Sequence, residues 1–305
     1  MSRIPEEIRG DLRRAVRLEW WTLAWQASIV VVMFLVMGSS QAMKSAWTED
    51  LLGLVPAIVF LIAVHFERKP PSRRFPFGFP RVNSLAFLAA ASVLAAMGLY
   101  LIYDSATKLI AMEHPTLGPV ELFGHSPWIG WLMIAALAYS IVPPVVLGRL
   151  KQPVSQRLKD KVLHTDALMQ KADWMTGVAG ILGIVGVGYG FWWADSAAAA
   201  LIACDIVHDG FRAARVALAE LADGMPRELG GSAVAKDAQD LRDSLSGRFP
   251  GAEVRLRETG RYIVAEVRGA RPPSGTVRPA DYWPGDPGRR WRFAELSFSP
   301  EPEGG

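Results

Sequence analysis

Residues 166–177 read DALMQKADWMTG and run straight into VAGILGIVGVGYGFWW (178–193), which holds no charge. Two aspartates, a lysine and a glutamine therefore stand at the mouth of a segment apolar enough to cross a bilayer. An ionisable group at that depth costs about 3 kcal/mol unless it has a partner or a task. The stretch is both a candidate membrane span and a candidate site.

Further uncharged runs cover Trp20–Met43, Val82–Tyr103 and Pro127–Gly148, beside Trp174–Ala194 in the stretch itself. Each exceeds the roughly 18–20 residues that span about 30 Å of hydrocarbon as helix. Two weaker runs, Leu51–Val64 and Ser196–Cys204, bring the expected count to six spans, at 19–42, 47–66, 82–106, 127–148, 165–190 and 195–216. Loop charge tests that count independently. The N-terminal segment 1–18, the connection ERKPPSRRFPFGFPR (67–81) and the connection RLKQPVSQRLKDK (149–161) are each rich in Arg and Lys, whereas the alternate connections hold Lys44, Lys108 and no basic residue. This alternation fits six helices with both termini cytoplasmic. It accounts for the +3 net charge by placing basic residues against anionic headgroups, with no need of a nucleic-acid partner. Trp20-Trp21 and Trp192-Trp193 suit the interfacial belts. The first run is too long for a signal-peptide core and lacks a small-residue cleavage site, so it is retained as a span. The single cysteine, Cys204, excludes an internal disulfide and reads as a small buried hydrophobe.

Composition changes near Pro226. Residues 227–305 are polar, rich in Arg, Gly and Pro, and contain no His or Cys. Apolar residues at 234, 238, 241 and 245 predict a helix closed by Gly247. The segment AEVRLRETGRYIVAEVRG (252–269) alternates on both sides of Thr259-Gly260, as a β-hairpin does. RRWRFAELSF (289–298) alternates again as a third strand. The result is a small α+β cytoplasmic domain with a polar tail, thin enough in its core to lean on a second copy.

Ionisable residues inside the spans are the candidates for function. Asp104 and Lys108, at i and i+4, read as an ion pair where the third span ends. Asp205 sits within the sixth span and reads equally as a structural hydrogen-bond partner or a relay. Glu49 and Asp50 are open to two readings: first-turn acids after a Thr48 cap, or ligands. Asp173 lies 12 residues beyond Lys161, roughly 18 Å along a helix, with apolar chain after it. Asp166, Met169, Asp173 and Gly177 share one helical face, with Gln170 beside it. Two carboxylates from different helices, with an amide or thioether, make a cation site. Lys171, about 200° round from Asp173, is expected to face outward and snorkel.

Three stretches together resemble the cation diffusion facilitators. FPFGFPR (75–81) is similar to that family's His-Pro-Tyr-Gly-His-x-Arg motif, TDALMQKADWMTGVAGILG (165–183) to its fifth-helix motif, and residues 192–226 to its sixth helix and exit. The resemblance implies six transmembrane helices, a ferredoxin-like cytoplasmic domain that forms a homodimer, and proton-coupled efflux of divalent cations across a bacterial inner membrane. On the family pattern Asp173 is a metal ligand. Met169 stands where His or Asp is usual, and the second-helix pair falls on Glu49 and Gly53, or on Asp50 and Leu54 with a one-residue shift. Phe75 and Phe79 replace the two motif histidines. The expected metal site is therefore Asp173, Asp50, Glu49 and Met169, with Gln170 and Asp166 as second-tier helpers. Oxygen donors of this kind favour Mn²⁺, Fe²⁺, Mg²⁺ or Ca²⁺ over Zn²⁺, which prefers nitrogen and sulfur. No prosthetic group is expected, only transported metal and protons. The competing expectation is a degenerate relative that acts as a scaffold or carries a non-standard cation. An enzyme is not expected: no Ser or Cys lies near a His at nucleophile spacing, and GVGYGFWWAD (186–195) lacks the second acid of an intramembrane aspartyl protease.

Overall fold

The computed structural model describes residues 5–36, 41–112, 129–191 and 193–299. Six long helices come first: α1 Glu6–Val36, α2 Gln41–Glu67, α3 Arg81–Ile110, α4 Ile129–Leu158, α5 Lys161–Gly188 and α6 Ala194–Leu221. A short helix follows, α7 Lys236–Arg248, with strands β1 Glu253–Thr259, β2 Tyr262–Arg268 and β3 Phe293–Ser299. The chain is thus mostly helical with one small sheet at its C-terminal end. Among the described residues, α2 over 50–67 and α3 over 81–110 are long and apolar enough to cross a membrane.

Small residues set how closely the helices approach. A Cβ on Gly98 of α3 would lie 2.7 Å from Val207 Cγ2, and one on Gly210 of α6 would lie 2.5 Å from the Ala95 backbone nitrogen. Only glycine lets these two backbones meet. Gly177 does the same between α5 and α4, where its Cβ would reach within 2.6 Å of Ile141. The α4–α5 corner is tight: Lys159 adopts a left-handed φ of 48°. Asp160 Oδ1 then accepts the Leu163 N–H at 3.0 Å, capping the first turn of α5.

In the C-terminal unit β1 and β2 pair antiparallel, Thr259 opposite Tyr262, while β3 joins β2 in parallel. The expected hairpin is present, with Gly260 and Arg261 as its turn. The crossover to β3 runs through residues 269–292 and carries two 3₁₀ turns, Pro279–Tyr282 and Pro287–Arg292, in place of a second α-helix. Ala238, Leu241 and Leu245 of α7 pack on Leu256, Ile263, Ala265 and Phe293, so the stripe read from sequence is the face that covers the sheet.

The hairpin tip is driven into the helical bundle. Gly260 has φ 63°, and a Cβ there would stand 2.6 Å from the Pro80 carbonyl oxygen at the start of α3. Its N–H donates to Ser84 Oγ at 2.9 Å, and Ser84 Oγ donates to Glu220 Oε1 at 2.6 Å. Around this contact lies a buried ionic layer. Arg261 Nη2 donates to Asp160 Oδ2 at 2.6 Å and stands 3.3 Å from Glu67 Oε2. Lys161 bridges Glu220, at 2.8 Å, and Glu258. Arg292 Nη1 donates to Asp237 Oδ2 at 3.0 Å and its Nη2 to Glu258 Oε1 at 3.3 Å. Tyr262 donates to Glu67 Oε1 at 2.8 Å. Lys161, counted by loop charge as a headgroup-facing cation, is thus enclosed. The reason is the hairpin, which covers the ends of α2, α3 and α6 that meet the start of α5.

Candidate functional site

α5 distributes its polar residues over several neighbours, because each residue turns the helix by about 100°. Asp173 faces α1 and α2. The Cβ position of Gly53 on α2 lies 3.7 Å from Asp173 Oδ2 and 3.1 Å from Gln26 Nε2 of α1. Gln26 Nε2 donates to the Asp50 backbone oxygen at 3.3 Å and to Asp50 Oδ1 at 3.4 Å. Asp50, Gly53, Gln26 and Asp173 therefore converge from three helices. α2 begins at Gln41, so Glu49 and Asp50 lie two turns or more inside it; a first-turn dipole does not account for them. The Glu49 side chain falls outside the described residues.

The remaining residues of the expected set point elsewhere. Met169, about 40° round the helix from Asp173, is buried against Leu94, Met97 and Leu101 of α3 and Ala203 and Ile206 of α6. Its thioether is part of an apolar cluster. Gln170 lies about 60° the other way and faces α4, where its Cβ is 3.4 Å from the Cβ position of Gly148. Its Nε2 is buried without a hydrogen-bond partner among the described residues. Asp166 also faces α4: its Oδ2 receives Lys151 Nζ, which donates as well to Glu19 Oε2 of α1 at 3.0 Å. All three side chains of this triad are fully enclosed. The single polar face read along 166, 169, 173 and 177 is therefore divided among separate environments.

Lys171 lies on the far side of α5 from Asp173, and its Nζ donates to Asp205 Oδ2 of α6 at 3.1 Å, both side chains about half exposed. The outward orientation expected of Lys171 holds, and its ammonium is matched by a carboxylate. Asp205 takes the role of structural partner. Lys108 and Asp104 form the expected ion pair. Cys204, expected to be buried, is exposed, because α6 turns that side away from α3. Phe79 packs tilted against Phe75 at 4.7 Å and Phe66 at 5.6 Å between ring centroids, so the positions of the two missing motif histidines form an aromatic cluster.

Sequence reasoning missed Gln26, Glu19 and Lys151. Gln26 did leave a signal, an amide at the seventh position of a 24-residue uncharged run. Glu19 and Lys151 sit just outside the uncharged runs and read as ordinary loop charge.

A model of the cation efflux transmembrane domain matches residues 23–222, which include Gln26, Asp50, Gly53 and Asp173. Among curated relatives, the cation-efflux pump FieF of Shewanella oneidensis is 24% identical over 203 residues, covering 63% of this chain and 64% of the relative. A probable cation efflux system protein of Mycobacterium tuberculosis is 28% identical over 255 residues, covering 83% of this chain and 71% of the relative. The manganese efflux system protein MneS of Bacillus subtilis is 21% identical over 217 residues, covering 70% and 69%. The chain thus spans somewhat under two thirds of the Shewanella pump and about 70% of the other two.

Proposed function

The chain belongs to the cation efflux family of membrane metal-cation transporters, and from that premise we propose that it exports a divalent cation in exchange for protons, holding the ion between α2 and α5. The observation that carries this reading is the approach of Asp173 to the Gly53 backbone, with Asp50 one turn earlier on α2. Two carboxylates neutralise one dication. Two protons neutralise the same pair once the ion has left, so the site exchanges one M²⁺ for two H⁺ without stranding charge in a low-dielectric interior. Asp50 and Asp173 are the proposed ligands, and Glu49 is the alternative on α2. Met169 is occupied in its apolar cluster and Asp166 by Lys151, which leaves the site dominated by oxygen and suited to Mn²⁺, Fe²⁺ or Mg²⁺. The name of the Bacillus relative supports manganese as the first cation to test.

In this reading α1 to α6 are six membrane spans with both termini cytoplasmic, in a multi-pass protein of the bacterial inner membrane. The protein works as a homodimer, and the bundle rocks to open the site to each side in turn. It catalyses no covalent chemistry. The test is Mn²⁺ uptake into proteoliposomes under an imposed proton gradient. Asp173→Asn and Asp50→Asn each abolish transport if the reading is right; transport equal to wild type in both overturns it. One observation favours a second reading, a scaffold that moves no metal: among the described residues no group of three His, Cys, Asp or Glu stands close enough to hold an ion. Calorimetry of the wild-type protein with Mn²⁺ separates the two, because a scaffold takes up no heat-releasing ion.

A further inference from the structure

Resting on that site, we propose that Gln26 of α1 is a third cation ligand and sets selectivity for hard divalent ions, its carboxamide filling the place that Gly53 leaves without a side chain. The resemblance places the family's second-helix acid at Gly53 in one register and at Leu54 in the register that uses Asp50; in neither does this chain carry an acid there. The structure shows what stands in the space. The Cβ direction of Gly53 points at Gln26 Nε2, 3.1 Å away, with Asp173 Oδ2 at 3.7 Å. A Cβ at 53 would already crowd the amide, and a longer side chain would compete with the glutamine for the same volume. Gln26 is 3% exposed, although the run around it is apolar, and burying a carboxamide is unfavourable unless its polar atoms are used. Its two contacts are long, 3.3 and 3.4 Å, and both reach Asp50.

The carboxamide has a polar atom of each kind at its tip. In the arrangement seen here the NH₂ group donates to Asp50, which balances a carboxylate that has no ion beside it. The terminal torsion of glutamine is broad, and a half-turn exchanges Nε2 for Oε1. With a cation between Asp50 and Asp173, the oxygen then turns inward as a neutral ligand. Three consequences follow. The donors are two carboxylates and an amide oxygen, a set for Mn²⁺, Mg²⁺ or Ca²⁺ rather than Zn²⁺. A neutral third ligand keeps the loaded site uncharged, which a third acid would not. And because an amide does not titrate, the number of protons exchanged at this site stops at two.

The experiment measures Mn²⁺ uptake in proteoliposomes, Zn²⁺ competition and Mn²⁺ calorimetry on the full chain, for Gln26→Leu, Gln26→Glu and Gln26→Ala/Gly53→Asp. Gln26→Leu keeps the volume and removes the ligand; it should weaken Mn²⁺ binding by about tenfold or more, in the range that metal-site partners typically contribute. Gln26→Glu keeps both shape and oxygen; it should bind Mn²⁺ and exchange more protons per ion, read as a steeper pH dependence. The double variant returns an acid to α2 and should recover Mn²⁺ binding lost in Gln26→Ala. Unchanged affinity and Mn²⁺/Zn²⁺ ratio in Gln26→Leu, with Asp173→Asn inactive, overturn the role of Gln26 and leave the α2–α5 site standing. Activity in Asp50→Asn and Asp173→Asn removes the site itself. If Gln26→Leu fails to fold, the near-isosteric Gln26→Glu decides: a pH dependence identical to wild type counts against the proposal.

Discussion

Replacing Arg261 by Met should detach the β1–β2 hairpin from the helical bundle. The guanidinium is fully buried and answers two carboxylates, Asp160 at 2.6 Å and Glu67 at 3.3 Å. Removing one partner of a buried pair costs about 3–5 kcal/mol, because the remaining charge keeps its desolvation penalty and loses its compensation. Arg261 Nε and Nη1 have no hydrogen-bond partner among the described residues, so the wild-type arrangement is itself imperfect and the lower end, about 3 kcal/mol, is the working figure. The tip also carries the Gly260 bond to Ser84 and, through Glu258, the contact with the Arg227 N–H. Opening it therefore exposes the connection between α6 and α7. Native-state proteolysis reads this directly: cleavage after Arg227 tracks the population of the opened form. At about 1.4 kcal/mol per decade, 3 kcal/mol makes cleavage roughly 100-fold faster. Arg261→Met/Asp160→Asn should be less destabilised than the sum of the two single variants, since each single change strands what the other removes. Cleavage of Arg261→Met within threefold of wild type would refute the claim that this ion layer holds the C-terminal unit.

Two further outcomes follow from the same geometry. Gly210→Ala places a Cβ 2.5 Å from the Ala95 backbone nitrogen; backbone cannot yield as a side-chain tip can, so the cost should reach the upper part of the roughly 1–3 kcal/mol typical of overpacking, seen as a lower melting temperature in detergent, with Cys204→Ala as a neutral control on the same helix. High pH should loosen the C-terminal unit. Burial, then Glu67, raises Tyr262 above its ordinary 10.0. Its protonated form is favoured in the folded chain, so its contribution is complete below pH 10 and is lost as pH rises through the folded value. Cleavage after Arg227, measured with a protease active across the range, should accelerate above pH 10; equal rates at pH 8 and pH 11 would contradict the sign.

What the sequence could and could not show divides along one physical line. Hydropathy and loop charge report each residue's own preference for water, and they located α1 to α6. Alternation and one glycine located the hairpin, because strand period and turn chemistry are local. The direction a side chain takes inside the bundle is set by partners far away in the chain. Met169 and Asp173 are four residues apart and look like one face, yet the 40° between them is enough to send the thioether toward α3 and α6 and the carboxylate toward α1 and α2. Lys151 and Lys161 carry the same loop-charge signal as Arg13 or Arg17, and only the acids brought by α1, α6 and β1 reveal them as buried.

The buried ions are also not spread evenly. Glu19, Lys151 and Asp166 tie α1, α4 and α5 together, while Glu67, Asp160, Lys161, Glu220, Glu258 and Arg261 tie α2, α5 and α6 to the hairpin. α5 takes part in both groups near its N-terminus, through Lys161 and Asp166, and carries Asp173 two turns further along. Beyond Asp173 it turns glycine-rich, with Gly177 and Gly180 closest to the aliphatic Ile141 and Leu137 of α4. Ionic contacts in a low-dielectric interior are directional and costly to break, whereas glycine-on-aliphatic packing has no fixed register to lose. The helix is therefore anchored on the side of the hairpin, and among the described residues no salt bridge holds it beyond Asp173. In the transport cycle proposed above, the rocking motion that opens the Asp50–Asp173 site has its fixed end at the ionic layer, so the C-terminal hairpin, which grips α5 at Lys161 roughly 18 Å along the helix from Asp173 and has no histidine or cysteine of its own, is placed to govern how the site moves.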